Sequence, residues 1–570
     1  MKLSSKASGW WLALLVAGCF ALCASSQAQT HIALTKHNLT PSGPGTIKAA
    51  EPVGLCVFCH TPHNAKPTIG LWNRELSAAT YQLYASSTLK ASPNQPTGSS
   101  KLCLSCHDGL LALDSLRVPP AGAPLMLGPL QGSTVLGTDL SKDHPISFTY
   151  DVALAQANPE LADPRSLAAS VRLDAQQQMQ CTSCHDPHED RQSNFLRADN
   201  RAGAQCTACH RMNGWSASAH ATSTATWNGT GTDPWPPTGA YATVADNACL
   251  GCHRPHDAGH PQRLLAQATE SANCTVCHGG TVAAKNIAAE FLKPSHHPID
   301  SSQWVHDPTE DPRLMPRHVT CVDCHNAHVA TNAAAVLPGA PGALRGVKSV
   351  TLGGSVINDP NFEYEVCDKC HGLQEPTTVG IIRQGGTRNI RLKIDPTNPS
   401  YHPIAATGAN PAILGLEAGY TASSLINCTS CHNNDEWTAQ GTNPRGPHGS
   451  RYEPILAAQY TTGDPSVESP QSYALCYQCH NRTFLITDQA KTFPHQRHVI
   501  TDQAPCAACH DAHGSRQNTH LVDFMLRDLT GKVVVSPSAT LGLIQYTPLG
   551  AGHGQCYLSC HGKNHEPLAY

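Results

Sequence analysis

Charge is scarce in this sequence. Asp, Glu, Lys and Arg make up 14% of its 570 residues, against about a quarter in an average globular protein. Aromatic side chains are 5% and methionines number six. The formal net charge is −4, so the basic excess that an electrostatic nucleic-acid binder carries is missing and nucleic acid is excluded as a partner. Beyond the first thirty residues no apolar run approaches the roughly 18 residues of a membrane-spanning helix, so no span is expected there. The length is enough for several domains, yet large apolar side chains are few. The 44 glycines and 43 prolines favour turns over long helices. Something other than Leu, Ile and Phe must supply much of the buried surface.

The first residues have the pattern of a targeting segment. Lys2 and Lys6 precede an apolar stretch over residues 10–22, and Ser26-Gln27-Ala28 is a small-x-small site, so residues 1–28 are expected to be a signal peptide cut after Ala28. Val16-Ala17-Gly18-Cys19 offers a rival, a lipoprotein box with lipid on Cys19. Apolar residues continue through Leu22, which favours ordinary cleavage. The chain is expected to be exported, to the periplasm or to the outer membrane and cell surface.

Export makes disulfides the default fate of 26 cysteines, but their spacing overrules it. Eleven times the chain spells Cys-x-x-Cys-His, the haem-attachment signature: Cys56/Cys59/His60, Cys103/Cys106/His107, Cys181/Cys184/His185, Cys206/Cys209/His210, Cys249/Cys252/His253, Cys274/Cys277/His278, Cys321/Cys324/His325, Cys367/Cys370/His371, Cys428/Cys431/His432, Cys476/Cys479/His480 and Cys506/Cys509/His510. A twelfth, Cys556/Cys560/His561, has one more spacer residue. The other two cysteines, Cys19 and Cys23, fall in the targeting segment. Structural zinc does not demand His directly after the second Cys every time. Each thiol of such a motif adds to one vinyl group of a porphyrin, and the following His binds the iron from the proximal face. Twelve covalently attached haems c are expected, and they replace the missing apolar core.

The histidines beyond the twelve proximal ones supply the opposite axial ligands, since methionine is too rare to do so. Five motifs continue as Cys-His-x-x-His, giving His63, His188, His256, His328 and His513. A His three residues on lies on the same side of a helical turn as the first, so it is expected to serve the iron of a neighbouring haem. His144, His297 and His402 each precede Pro-Ile, and the proline holds them extended on presenting loops. His37, His448, His498 and His553 complete a set of twelve, with His220, His318, His495 and His565 as substitutes. His31, His260, His296, His306 and His520 read as ordinary polar residues.

The motifs fall into six pairs, a repeat architecture in which each module touches mainly its neighbours. The fifth pair is irregular: His432 is followed by Asn433-Asn434-Asp435, and its nearest extra histidine is His448. The boundaries expected are a first dihaem module over 29–165, a tetrahaem region with modules two and three over 166–305, module four over 306–415, and a tetrahaem region with modules five and six over 416–570. The fold class is mostly irregular and loop-rich, with short α-helices and few short strands, elongated around a haem core. Trp215, Trp227, Trp235 and Tyr241 are expected to pack over haem faces, and strands are expected over 379–394 and 532–546.

With these residues in view, the chain resembles the doubled-CXXCH multihaem c-type cytochromes over nearly its whole mature length. His37-Asn38-Leu39 followed by Cys56-Val57-Phe58-Cys59-His60-Thr61-Pro62-His63-Asn64 is especially similar. The resemblance implies electron transfer in the periplasm, in outer-membrane porin–cytochrome conduits or at the surface of metal-respiring bacteria. The partners it implies are redox proteins of the cell envelope, an outer-membrane porin, other cytochromes, and soluble metal or metal oxide. Iron sealed on both faces exchanges single electrons only, so a conduit rather than an enzyme is expected. The competing class is a multihaem reductase or oxidase of a small nitrogen or sulfur compound, which needs one open haem site; no Cys-x-x-Cys-Lys variant occurs. A third reading is a subunit of an extracellular cytochrome filament, with His31 or His565 ligating a haem of the next copy.

Overall fold

A computed structural model describes residues 31–122, 127–237, 240–299, 305–373, 380–411, 413–489, 493–550 and 552–570. The expected signal peptide and Cys19 lie outside them. Helix accounts for 22% and strand for 15%, so the chain is loop-rich, as its composition predicts. No helix among the described residues is long and apolar enough to cross a membrane. The chain divides into two compact units: residues 1–212 with Pro236–Tyr241 and His253–Leu264, and Asn213–Trp235, Ala242–Cys252 and Leu265–Tyr570.

The first unit has the helix Gly98–His107, which carries the second motif, and the helix Val152–Ala157, whose Leu154 N–H donates to the Asp151 side chain. A two-residue antiparallel ladder pairs Phe148 with Met179. Its apolar packing is split into small clusters: Ala49, Phe58, Leu113 and Leu127 in one, Tyr81, Leu104 and Leu140 in another, Phe148, Tyr150, Leu154 and Met179 in a third. Fully buried Arg74 ties two segments by donating to the carbonyls of Leu113, Ala112 and Ser105.

In the second unit the helices Glu270–His278 and Glu363–His371 each end on a motif histidine. Short antiparallel ladders join Ser295–His296 to Gly449–Ser450 and Ser400–Tyr401 to Gly514–Ser515. Both downstream strands read His-Gly-Ser. A Cβ on Gly449 would fall 1.8 Å from the Glu290 carbonyl oxygen, and one on Gly514, at φ 159°, 2.1 Å from that of Lys393; only glycine allows that approach. Ser450 and Ser515 then donate to the carbonyls of Leu456 and Val522. The strand expected over 379–394 is reduced to Ile382–Arg383, paired with Met525–Arg527, and its end is the helix Ile390–Lys393, with residue 379 outside the described residues. Near the second expected stretch, Val535–Ser536 and Gln545–Gly550 pair with one side of His553–Cys560 and Lys563–Ala569 with the other, making a four-stranded antiparallel sheet. Phe524, Met525, Val534, Val535, Tyr546 and Leu558 form its core.

Candidate functional site

Short helical turns present the thiols. Cys181–Cys184, Cys428–Cys431 and Cys506–Cys509 are one turn each, which sets residues three apart on one face. The Ser of Cys-Thr-Ser-Cys reaches back to accept from the N-cap amide, Ser183 from Gln180 and Ser430 from Asn427; Asp323 does the same for Thr320. The turn ends at the second Cys, and His185 is already extended at φ −114°, ψ 145°. The following Cys-His-x-x-His is therefore not a continuing helix, as its spacing suggests. In three of the five it is an Asx turn: Asp186 Oδ1 accepts from both the amide and Nδ1 of His188, Asp511 Oδ1 from both of His513, and Asn326 Oδ1 from the His328 amide.

Neighbouring motifs meet through their thiols. Cys103 and Cys181, Cys274 and Cys321, and Cys367 and Cys428 are neighbours, the first thiol of each couple raised well above its ordinary value by the other and by burial, each couple joining the first cysteines of motifs in adjacent pairs. Within pairs the second cysteines are neighbours. Burial and the nearby Cys106 push the Cys59 thiol up to about 12, burial and Cys184 push Cys209 to about 11, burial and Cys252 push Cys277 to about 11, and burial and Cys479 push Cys431 to about 12.

The Cys479 thiol has the Tyr420 hydroxyl as a neighbour, and that neighbour raises the phenol above its ordinary value. The cause is the loop before the tenth motif. The Glu417 amide donates to the Cys479 carbonyl at 2.8 Å, and the Tyr420 amide donates to the Glu417 carbonyl at 3.1 Å, so that turn sets the phenol against the sulfur. A thioether has no proton to give, so with haem attached at Cys479 the Tyr420 hydroxyl is the donor and the sulfur the weak acceptor.

The histidines stand opposite one another in pairs, with ring planes from 7° to 76° apart. Ring centres lie 6.1 Å apart for His60 and His188, 6.2 Å for His107 and His37, 6.2 Å for His185 and His256, and 6.3 Å for His210 and His144. In the second unit they lie 6.1 Å apart for His278 and His220, 6.1 Å for His325 and His448, 6.5 Å for His371 and His297, 6.1 Å for His432 and His513, and 6.4 Å for His480 and His402. A metal–imidazole bond of roughly 2 Å, plus about 1.1 Å from nitrogen to ring centre, separates two axial imidazoles on one iron by about 6.3 Å. The residues present therefore fit haem with two histidine ligands.

The tautomers fit as well. His107, His185, His253, His325, His432 and His510 each turn Nδ1 to a carbonyl oxygen at 2.8–3.0 Å. A carbonyl can only accept, so Nδ1 keeps the proton and Nε2 offers its lone pair to a metal. The opposing histidines use each other's loops. Nδ1 of His37, His220 and His297 bonds the carbonyl of the residue just before His188, His328 and His448, and His402 bonds that before His513. Burial, aided by the facing imidazole, holds His144, His278, His371, His432 and His480 down at about 4 and His448 at about 3. These values lie below the 6.5 of a free imidazole, so proton uptake favours the unfolded chain. Denaturation midpoints are expected to stay level above about pH 6.5 and to decline as the pH falls from there toward 4; a midpoint unchanged over that range would contradict the burial.

Sequence order governs the pairing. Counting motifs from the N-terminus, the first, third, seventh and ninth face a histidine that follows the motif two places later. The second, fourth, sixth, eighth and tenth face one that lies upstream of the preceding motif. His448 thus stands where the irregular fifth pair lacks its Cys-His-x-x-His, and His220, which no local motif marks, fills the sixth position. His63 is exposed and faces no imidazole among the described residues. His328 stands 6.1 Å from Trp215. His553 turns Nδ1 to the Tyr570 carbonyl at 2.9 Å. His510 has His495 as a neighbour; burial lowers both, and burial aided by His495 holds His510 at about 4.

The last motif is built differently. Its cysteines lie in the strand His553–Cys560, where residues four apart share a face, so the longer spacer suits a strand as the short one suits a helix. Leu558 lies between them on that face, and its cross-strand partner is His565. His565 is 9% exposed and its ring centre is 6.4 Å from that of His498. His561, expected to be the proximal ligand, occupies the tight connection at φ 49° and places Nε2 2.6 Å from Asp464 Oδ1.

Residues 175–214 and 242–283 match the doubled CXXCH motif family. No curated protein matches the chain. The match supports a multihaem cytochrome with covalently bound haem c.

Proposed function

We propose that this chain, a multihaem c-type cytochrome working in electron transfer, is an exported carrier holding twelve haems between paired imidazoles. The observation that carries this reading is the recurrence of one imidazole spacing, 6.1–6.5 Å, at motif after motif. The haem supplies a one-electron iron couple. The chain's own residues decide what that couple can do. A histidine on each face leaves no position for a substrate, which favours the carrier over a reductase. The carbonyl bonds to Nδ1 fix each ring and raise its basicity, and burial sets the potential. Each thiol marks one edge of its porphyrin, so the alternating thiol contacts bring successive cofactor edges side by side. Electrons would enter from a donor of the cell envelope and leave through an outer-membrane porin–cytochrome assembly or to a soluble metal or metal oxide.

At the last module His498 and His565 would hold the iron, since His561 Nε2 is engaged by Asp464. By the order of the other even-numbered motifs, His498 is the histidine due to the twelfth.

Intact mass of the purified protein is expected to show twelve haems, with electron paramagnetic resonance showing low-spin ferric iron throughout. A high-spin signal worth one haem per chain would favour the reductase reading, and eleven haems would remove the last site.

A further inference from the structure

Histidines left over from the axial pairs gather at a second place. His306, Glu310 and His318 each bring one ligand atom within 4.8 Å of the others, and Asp323 adjoins them from inside the seventh motif. His306 Nδ1 lies 3.5 Å from His318 Nε2 and 3.1 Å from Asp323 Oδ1. His318 Nε2 lies 3.5 Å from Glu310 Oε2 and 3.7 Å from Asp323 Oδ2.

Two features call for a cation at the centre. His318 Nδ1 bonds the Pro316 carbonyl at 2.9 Å, so that nitrogen carries a proton and Nε2 is the atom turned toward the two carboxylates. Independently, Glu310 Oε2 is buried and accepts no hydrogen bond, an arrangement that costs free energy unless a positive charge meets it. Separations of 3.5–3.7 Å exceed the ordinary N–H···O length. The two 3.5 Å separations, among His306, His318 and Glu310, match the edges of a tetrahedron, about 3.3–3.6 Å, whose corners lie 2.0–2.2 Å from a metal, whereas Asp323 Oδ1 keeps an ordinary 3.1 Å contact to His306 Nδ1.

We propose that His306 Nδ1, His318 Nε2 and Glu310 Oε2 bind one zinc ion, or a divalent metal of similar ligand preference, with the Asp323 carboxylate beside them. Two imidazoles exclude calcium and magnesium, which take oxygen. The carboxylates of Glu310 and Asp323 together balance the charge, and a water would fill the fourth position that three protein ligands leave. Thr320 orients the Asp323 carboxylate through its amide at 2.8 Å and hydroxyl at 3.1 Å. Lys369 Nζ, 3.3 Å from Asp323 Oδ1, and Glu270, which accepts from the His306 amide, are the other charged groups facing it. The ion would clasp a loop without helix or strand, residues 305–320, to the seventh attachment motif.

The holoprotein, dialysed against micromolar zinc and then zinc-free buffer, is expected to retain one zinc per chain by elemental analysis. X-ray absorption at the zinc edge, which haem iron does not obscure, is expected to show two imidazoles and two oxygens. His318→Ala and Glu310→Gln should each cut retained zinc at least tenfold while haem content and low-spin spectrum stay unchanged. Wild-type protein with its full haem complement that retains no zinc would overturn the proposal and leave an ion-pair cluster with protonated histidine. If neither variant accumulates, the wild-type absorption spectrum alone decides by its ligand count.

Discussion

Replacing His188 with Ala is expected to turn one haem per chain high-spin, and that haem is the one on Cys56 and Cys59. His188 follows the third motif in sequence, but its ring faces His60 at 6.1 Å with the planes 15° apart. The Asx turn on Asp186 aims it there. Spin counting in double variants identifies the iron. His60→Ala with His188→Ala should disturb one haem, because both ligands belong to one iron. His185→Ala with His188→Ala should disturb two, His185 facing His256 instead. The reverse counts would mean that each Cys-His-x-x-His serves a single haem. The reduction potential of the affected centre should move further than any other, since axial ligand identity is the strongest lever on it.

His565→Ala is expected to convert the last haem to high spin, whereas His561→Ala should leave every haem low-spin. The reason is geometric. His565 lies opposite Leu558 on the face that carries Cys556 and Cys560, with His498 across from it, while His561 Nε2 is held by Asp464. Asp464→Asn offers a control: it weakens the hold on His561 without touching His565, so the spectrum should again stay low-spin. A high-spin haem in His561→Ala together with a normal His565→Ala would restore the usual proximal ligand.

The attachment sites were legible because they are local chemistry: two thiols and a histidine at a fixed spacing need no knowledge of the rest of the chain. Part of the second ligand set was legible on the same ground. Asp186 and Asp511 sit where an Asx turn aims the histidine two residues on. His63 has Thr61 there, whose hydroxyl donates instead to the His63 carbonyl, so the same spelling carries a weaker signal. His256 shows that the signal is incomplete, for it follows Arg254 and takes its carboxylate from distant Asp143. Which iron each imidazole faces was not legible, because His60 and His188 or His325 and His448 meet through loops that leave no periodic trace in sequence. His220 had no marker at all, and neither did the phenol that Tyr420 brings to Cys479 from the loop before its motif. The longer last spacer did carry a physical message, since four-residue spacing aligns two side chains on a strand. Of the proposed zinc ligands, His306 read as an ordinary polar residue and His318 as a substitute axial ligand, because carboxylates and histidines become a site only once loop closure gathers them.

The alternation of ligand origins also sets a timetable for maturation. In the even-numbered positions described, the second imidazole lies upstream of its attachment motif, as His37 does for His107 and His144 for His210. In the odd-numbered ones it lies far downstream, as His188 does for His60 and His513 for His432. A polypeptide emerging from its N-terminus can therefore finish each even centre as soon as cofactor is attached. Each odd centre must wait, half-coordinated, until a segment two motifs later arrives, so every stage of biogenesis carries a short-lived vacancy that moves along the growing molecule.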